Sequence, residues 1–158
     1  MVMKSDGLVV VLHMGVGLLR FGMSPDDVHR FYGEPDWRRP PDPIFGSSRE
    51  RYLAHRFFVD FSRDGRCCSV EMYPDARALL DGIDLMAMTY HELVRYLRGR
   101  GASVLEEGDG FRCDDLGLAG YAPDIADPEL SEVRLQGLLV YPHGYYDELD
   151  AHLAKSAK

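Results

Sequence analysis

The side chains best suited to chemistry in this sequence are its histidines, cysteines and carboxylates. The histidines stand at positions 13, 29, 55, 91, 143 and 152, and the cysteines at 67, 68 and 113. None of them falls into His-Glu-x-x-His or into a Cys/His spacing that would hold a metal. His91-Glu92 opens a helix in which Glu92 has a capping task, and His143, Asp147 and His152 lie on what reads as a solvated tail. A Gly-x-Ser-x-Gly nucleophile elbow is missing, and nothing in the spacing sets a histidine beside Cys67 or Cys113. The adjacent pairs Asp26-Asp27, Glu106-Glu107 and Asp114-Asp115 are poor acid/base pairs, since neighbours on a strand face opposite ways. Gly15-Val16-Gly17 lacks the third glycine and the helix start of a phosphate loop. The expectation is a protein that is not an enzyme, with no metal and no cofactor.

Binding chemistry is better represented. Trp37 lies in a proline-rich stretch with Arg38, Arg39 and Phe45, and Trp and Arg are the types enriched at interface hot spots. The alternative, a Trp37 folded back onto the core, is equally open. Tyr141, Tyr145 and Tyr146 form a second aromatic group, either the rim of a sheet or an anchor for the end of the chain. Asp124, Asp127 and Glu129 make an acidic loop suited to a basic partner. Of 158 residues, 46% are apolar and 28% charged, as in a globular protein, and the net charge is −8. Residues 1–79 carry eleven Lys/Arg and eleven Asp/Glu, whereas residues 80–158 carry seven and fifteen, so the second half holds the whole excess. That balance disfavours nucleic acid, which needs a basic footprint, and would steer a basic protein partner to the second half.

The elements that must position these groups follow from the pattern. Residues 8–13 read as a strand, and the apolar run 7–22 is too short and glycine-rich to cross a membrane. A helix starts at Ser24, with Pro25 at its first position, Asp27 closing a capping pair and Val28, Phe31 and Tyr32 as its buried stripe. Residues 35–48 read as a long loop. Residues 51–61 alternate as one strand, Asp64-Gly65 is a hairpin turn, and the strand returns through Cys68, Val70 and Met72. Residues 76–86 link the halves. A second helix starts at Thr89, with the stronger capping box through Glu92 and with Leu93, Tyr96 and Leu97 buried. Strands follow at 103–106, 111–121 and 133–141, and the tail after Tyr146 is weakly amphipathic and frayed. Three cysteines, an odd number without framework spacing, indicate free thiols and a cytoplasmic protein.

Shifting the first helix by 65 positions (88 minus 23) puts Met23 on Met88, Ser24 on Thr89, Asp27 on Glu92, Val28 on Leu93 and Phe31 on Tyr96. A tandem repeat is the natural reading. The expected fold is α+β: two related units, 1–79 and 80–158, each a helix followed by antiparallel strands, with the helices on one face of antiparallel sheet. The run Gly22, Met23, Ser24, Val28, Gly33, Pro35 resembles the helix entry of the BamE/SmpA-like outer-membrane assembly lipoprotein family, and two such modules in tandem are similar to the β-lactamase inhibitory proteins of actinomycetes. The chain has neither a lipobox cysteine nor paired disulfide cysteines, and its second copy lacks the Gly-x-Pro. What the resemblance implies is protein binding, in the manner of a small acidic immunity or inhibitor protein, through the sheet face and loops. The other expectation, from a different class, is a small enzyme or ligand-binding domain using a cavity between the two units. Partner identity and oligomeric state stay open.

Overall fold

The chain was described from a computed structural model covering residues 7–130 and 132–156. Strand β1 (Leu8–Val11) turns into a tight hairpin of β2 (Gly15–Val16) and β3 (Leu19–Arg20), and α1 (Pro25–Tyr32) follows. A run of four strands comes next: β4 (Trp37–Arg39), β5 (Ser48–Tyr52), β6 (Phe57–Phe61) and β7 (Cys67–Met72). A short hairpin, β8 (Ala78–Leu80) and β9 (Ile83–Asp84), leads to α2 (Tyr90–Gly99). A second run of four strands follows: β10 (Leu105–Glu107), β11 (Gly110–Cys113), β12 (Leu118–Tyr121) and β13 (Gly137–Val140). Helix α3 (Asp147–Ser156) closes the described chain.

Two sheets result. The larger is an eight-stranded antiparallel sheet in the order β10-β11-β12-β13-β7-β6-β5-β4, so the two four-strand runs meet where β13 pairs with β7. The smaller has five strands in the order β3-β2-β1-β8-β9, and its β1/β8 pair is parallel. The large sheet has one apolar face. Phe57, Val59 and Phe61 alternate on β6, Val70 and Met72 on β7, and Leu138 and Val140 on β13, as the period-2 pleat requires. They share one core with Val28 of α1 and with Leu93 and Leu97 of α2. Each such aliphatic side chain, fully buried, contributes about 1.5–3 kcal/mol.

The helix starts fall where the sequence put them. Ser24 caps α1 with a reciprocal box: its hydroxyl accepts from Asp27 N–H, and the Asp27 carboxylate accepts from Ser24 N–H. Thr89 caps α2 by accepting from Glu92 N–H at 3.3 Å. The fuller box is therefore the first one, contrary to expectation. Thr89 is drawn instead into an isolated bridge with Arg134, while Tyr90 N–H donates to the Val133 carbonyl.

The α+β expectation fails. The described residues are mostly sheet, with thirteen strands and three short helices among them, and not two units with helices laid on one sheet face. The causes are local. Residues 37–39 form β4 inside the expected loop, because Pro35 and Pro40 flank the strand and an edge strand needs hydrogen bonds on one side only. The apparent single strand over 51–61 is two strands. A 3-10 turn at Leu53–His55 and left-handed Arg56 (φ 63°) reverse the chain between them. Residues 111–121 are likewise cut into β11 and β12 by a turn through Gly117 (φ 67°). Phe31 is exposed where a buried stripe was expected. The tail, expected to fray, is the helix α3, in which no side chain is buried.

Candidate functional site

The side of the large sheet away from the core carries polar and aromatic side chains in register. Following the strand pairings, Trp37 lies opposite Arg51, then come Phe58, Glu71, Leu139, Ala119, Arg112 and Leu105, one residue from each of the eight strands. Directly paired residues share a face. None of these is buried, whereas their strand neighbours Tyr52, Phe57, Val70, Leu138, Leu118 and Phe111 are. The row is thus an open face running across the molecule.

Its guanidinium groups are held in place. Arg49 stacks over Phe58 at 4.7 Å and pairs with Asp60 through two bonds of 2.6 and 3.0 Å. Arg51 lies 6.0 Å from the Trp37 ring and donates to Asp36 at 2.7 Å. Arg112 sits 4.1 Å over the Tyr146 ring and makes paired bonds to Asp114 and to Asp150. Each arginine is fixed by an aromatic plane and a carboxylate, geometry that suits guanidinium and not ammonium. These bonds move the titrations. The hydrogen bonds that Arg112 donates to Asp150 and Asp114 raise its pKa, and Arg112 in turn holds both carboxyls below the usual carboxylate range. Burial opposes ionisation of Asp36, but the Leu53 N–H and the Arg51 guanidinium outweigh it and lower its pKa.

The β4–β5 loop adds an apolar tip. Ile44 and Phe45 are each 73% exposed. They do not hang loosely: the Asp42 carboxylate accepts from both of their N–H groups, at 2.7 and 2.9 Å. Gly46 (φ 73°) donates to the Asp42 carbonyl and completes the turn. Prolines at 40, 41 and 43 restrict the segment further.

The residues singled out from sequence separate into distinct places. Trp37 is 42% exposed on the edge strand β4, edge-on to Phe58, and so belongs to the open face and not to the core. Arg39 is exposed two residues along the same strand, and Phe45 is at the loop tip. Arg38 points the other way: its Nε donates to buried Glu50 at 2.9 Å, so it is not a free contact residue. Asp124, Asp127 and Glu129 are exposed in the β12–β13 connection. That connection leaves the sheet at the end shared by Tyr121, Met72 and Phe57, opposite to the Ser48–Phe61 end that carries the Phe45 tip. Tyr141 is a correction. It is 2% exposed, and its hydroxyl bonds Asp114 at 2.8 Å and the Leu118 carbonyl at 3.2 Å. It follows the last residue of β13 and is covered by Tyr145 and Tyr146, whose rings lie 5.1 and 5.0 Å from its own, so no partner can reach it. Tyr145 and Tyr146 are half-buried on the open face, Tyr145 within 3.4 Å of the Ser69 hydroxyl.

Sequence reasoning passed over Arg49, Arg51, Phe58, Ile44 and Arg112. The alternating arginines at 49 and 51 were visible, but without the pairing register nothing put them beside Trp37. It also passed over a convergence on the core side. The Glu50 carboxylate, 4% exposed, accepts from Arg38, from Tyr52 and from His29 Nε2 at 2.9 Å. A His–Glu pair can perform acid/base chemistry. Here the carboxylate is occupied by all three partners, so the group acts as a clamp fastening α1 to β4 and β5.

A cleft of about 400 Å³ lies on the open face of the second strand run, beneath α3. Among the described residues, no group of three or more His, Cys, Asp or Glu side chains could hold a metal ion. Among them, too, no helix is long and apolar enough to cross a membrane. Cys67, Cys68 and Cys113 are free thiols. Comparison of the chain with protein-family models, curated proteins and solved structures finds no match in any of the three.

Proposed function

We propose that the protein is a non-enzymatic binding module that recognises another protein through the open face of the eight-stranded sheet and the Ile44-Phe45 tip. The observation that carries this reading is the in-register row from Trp37 to Leu105, with its arginines already fixed against aromatic rings. Ordering long side chains costs about 0.5–1.5 kcal/mol each on association, and here most of that ordering precedes binding. Trp, Tyr and Arg are the types that dominate interface energies. The net charge of −8 supports a basic partner over a nucleic acid. A role as an immunity or inhibitor protein fits the same surface.

A photo-crosslinking residue placed singly at Trp37, Phe45 or Tyr121 tests this in the cells that make the protein. A control goes at Arg95, on the outer side of α2. The open-face positions should yield one common adduct and the control none. Adducts equally strong at Arg95, or none at any open-face position, would remove the reading.

A further inference from the structure

The proposed partner-binding face contains a trough whose shape and charge specify what enters it. Its floor crosses β10 to β13 and reaches Glu71 on β7. One row of the floor, Glu107–Gly110–Tyr121–Gly137, has two positions without a side chain, and the next row contributes Ala119 and Leu139. These small residues leave the middle low. Tyr121 and Leu105 stand on it, both about half exposed, and Leu149 and Leu153 of α3 form the opposite wall. With strands about 4.8 Å apart, the floor from β10 to β7 spans about 19 Å. That is the reach of roughly six extended residues at about 3.3 Å each.

The rim is acidic. Glu107 and Asp109 are exposed at one end, and at the other Glu71 shares Arg49 (3.5 Å) with Asp60, two carboxylates against one guanidinium, so that end is also net negative. The arginine in the lining, Arg112, is cancelled by Asp114 and Asp150. The carboxylates of α3 at Asp147 and Glu148 add to the same sign.

Resting on the binding reading above, we infer that this trough receives a short basic segment of the partner, with an aliphatic or aromatic side chain between lysines or arginines. The apolar side chain occupies the low floor over Ala119 and Gly137, between Tyr121 and the two α3 leucines. The flanking cations meet Glu107 and Asp109 on one side and Glu71 on the other. An acidic segment would meet like charge at both ends, and a purely polar one would leave Leu105, Leu139, Leu149 and Leu153 in water.

Selection of random displayed peptides against the intact protein tests the inference. The winners are then measured against two variants, Glu107→Lys with Asp109→Lys, and Ala119→Trp. Recovered peptides should place Lys or Arg around a Leu, Ile or Phe. The charge reversal should weaken them about tenfold or more, and the tryptophan should abolish binding by filling the floor. The charge-reversed positions are exposed, so that variant serves even where Ala119→Trp lowers stability. Peptides lacking basic residues, peptides bound equally by wild type and both variants, or an empty selection would overturn the inference. An empty selection alongside common photo-adducts at Trp37 and Phe45 would remove the trough and keep the open-face reading. Absence of those adducts as well would remove both.

Discussion

Trp37 stands edge-on to Phe58, their ring centroids 6.3 Å apart and their planes at 84°. The two residues are not directly paired; Arg51 lies between them in the row and its guanidinium faces the indole. An aromatic that is partly exposed and propped in this way can serve a partner without carrying the fold.

Trp37→Ala should therefore cost about 1 kcal/mol, the scale of one aromatic pair, and lower the melting temperature by roughly 2–4 °C. Phe57→Ala, one residue from Phe58 but fully buried, should cost about 3–5 kcal/mol. Thermal melts of the two variants side by side check this. A Trp37→Ala variant as unstable as Phe57→Ala would return Trp37 to the core.

The Glu50 clamp makes the opposite prediction for an unremarkable acidic residue. Glu50→Ala leaves the Tyr52 hydroxyl and His29 without their shared acceptor, and should cost about 2–3 kcal/mol. Urea midpoints report it, with Glu34→Ala, at an exposed position, as the control expected within about 0.5 kcal/mol of wild type.

Base should destabilise the protein. Burial pushes the Cys67 thiol up to about 12 and Cys68 up to about 11, and raises Cys113. Burial also pushes the Tyr145 hydroxyl up to about 12. These groups ionise more readily in the unfolded chain, so above the ordinary thiol range the unfolded state binds fewer protons than the folded one. Stability is then intact below about pH 8.5 and falls as the pH rises toward 12. Urea titrations at pH 7, 9 and 10.5 should show a monotonic decline. Iodoacetamide at pH 8 should leave the native thiols unmodified and alkylate all three after denaturation.

Helix α3 should detach when its tether is cut. No side chain of α3 is buried, and a pair of bonds from Arg112 to Asp150 ties it to the sheet. Asp150→Asn should raise amide hydrogen exchange over residues 147–156 several-fold while leaving β5 to β7 protected. Unchanged exchange would mean that Leu149 and Leu153 hold the helix by themselves.

The capping signals at Ser24 and Thr89 were legible because they are local: a hydroxyl and the N–H three residues on decide them. The Asp64-Gly65 turn was legible for the same reason, with Ser62 N–H bonded to the Arg66 carbonyl. The reversal at Arg56 was not. A left-handed arginine leaves no mark in the alternation, and the turn is held from a distance by Asp36, whose carboxylate accepts from Leu53 N–H and Arg51. Trp37 and Phe45 were marked by residue type alone. Their companions on the open face, Arg49, Arg51 and Arg112, become a surface only through the register that joins eight strands. Tyr141 misled because its type suits an interface while the chain after β13 folds Tyr145 and Tyr146 over it.

The junction of β7 with β13 sets a timetable. Val70 waits for Val140 and Glu71 for Leu139, partners roughly seventy positions downstream. At a synthesis rate of about 5–20 residues per second, the nascent chain displays an unpaired β7 edge for roughly 4–14 s before its mate emerges. An open strand edge recruits whatever strand arrives first, including the same segment of a neighbouring nascent chain. The β7–β13 seam thus governs yield during synthesis as well as architecture afterwards. A slow ribosome, or a message truncated before β13, should send this protein into aggregates even though every residue of the first strand run is intact.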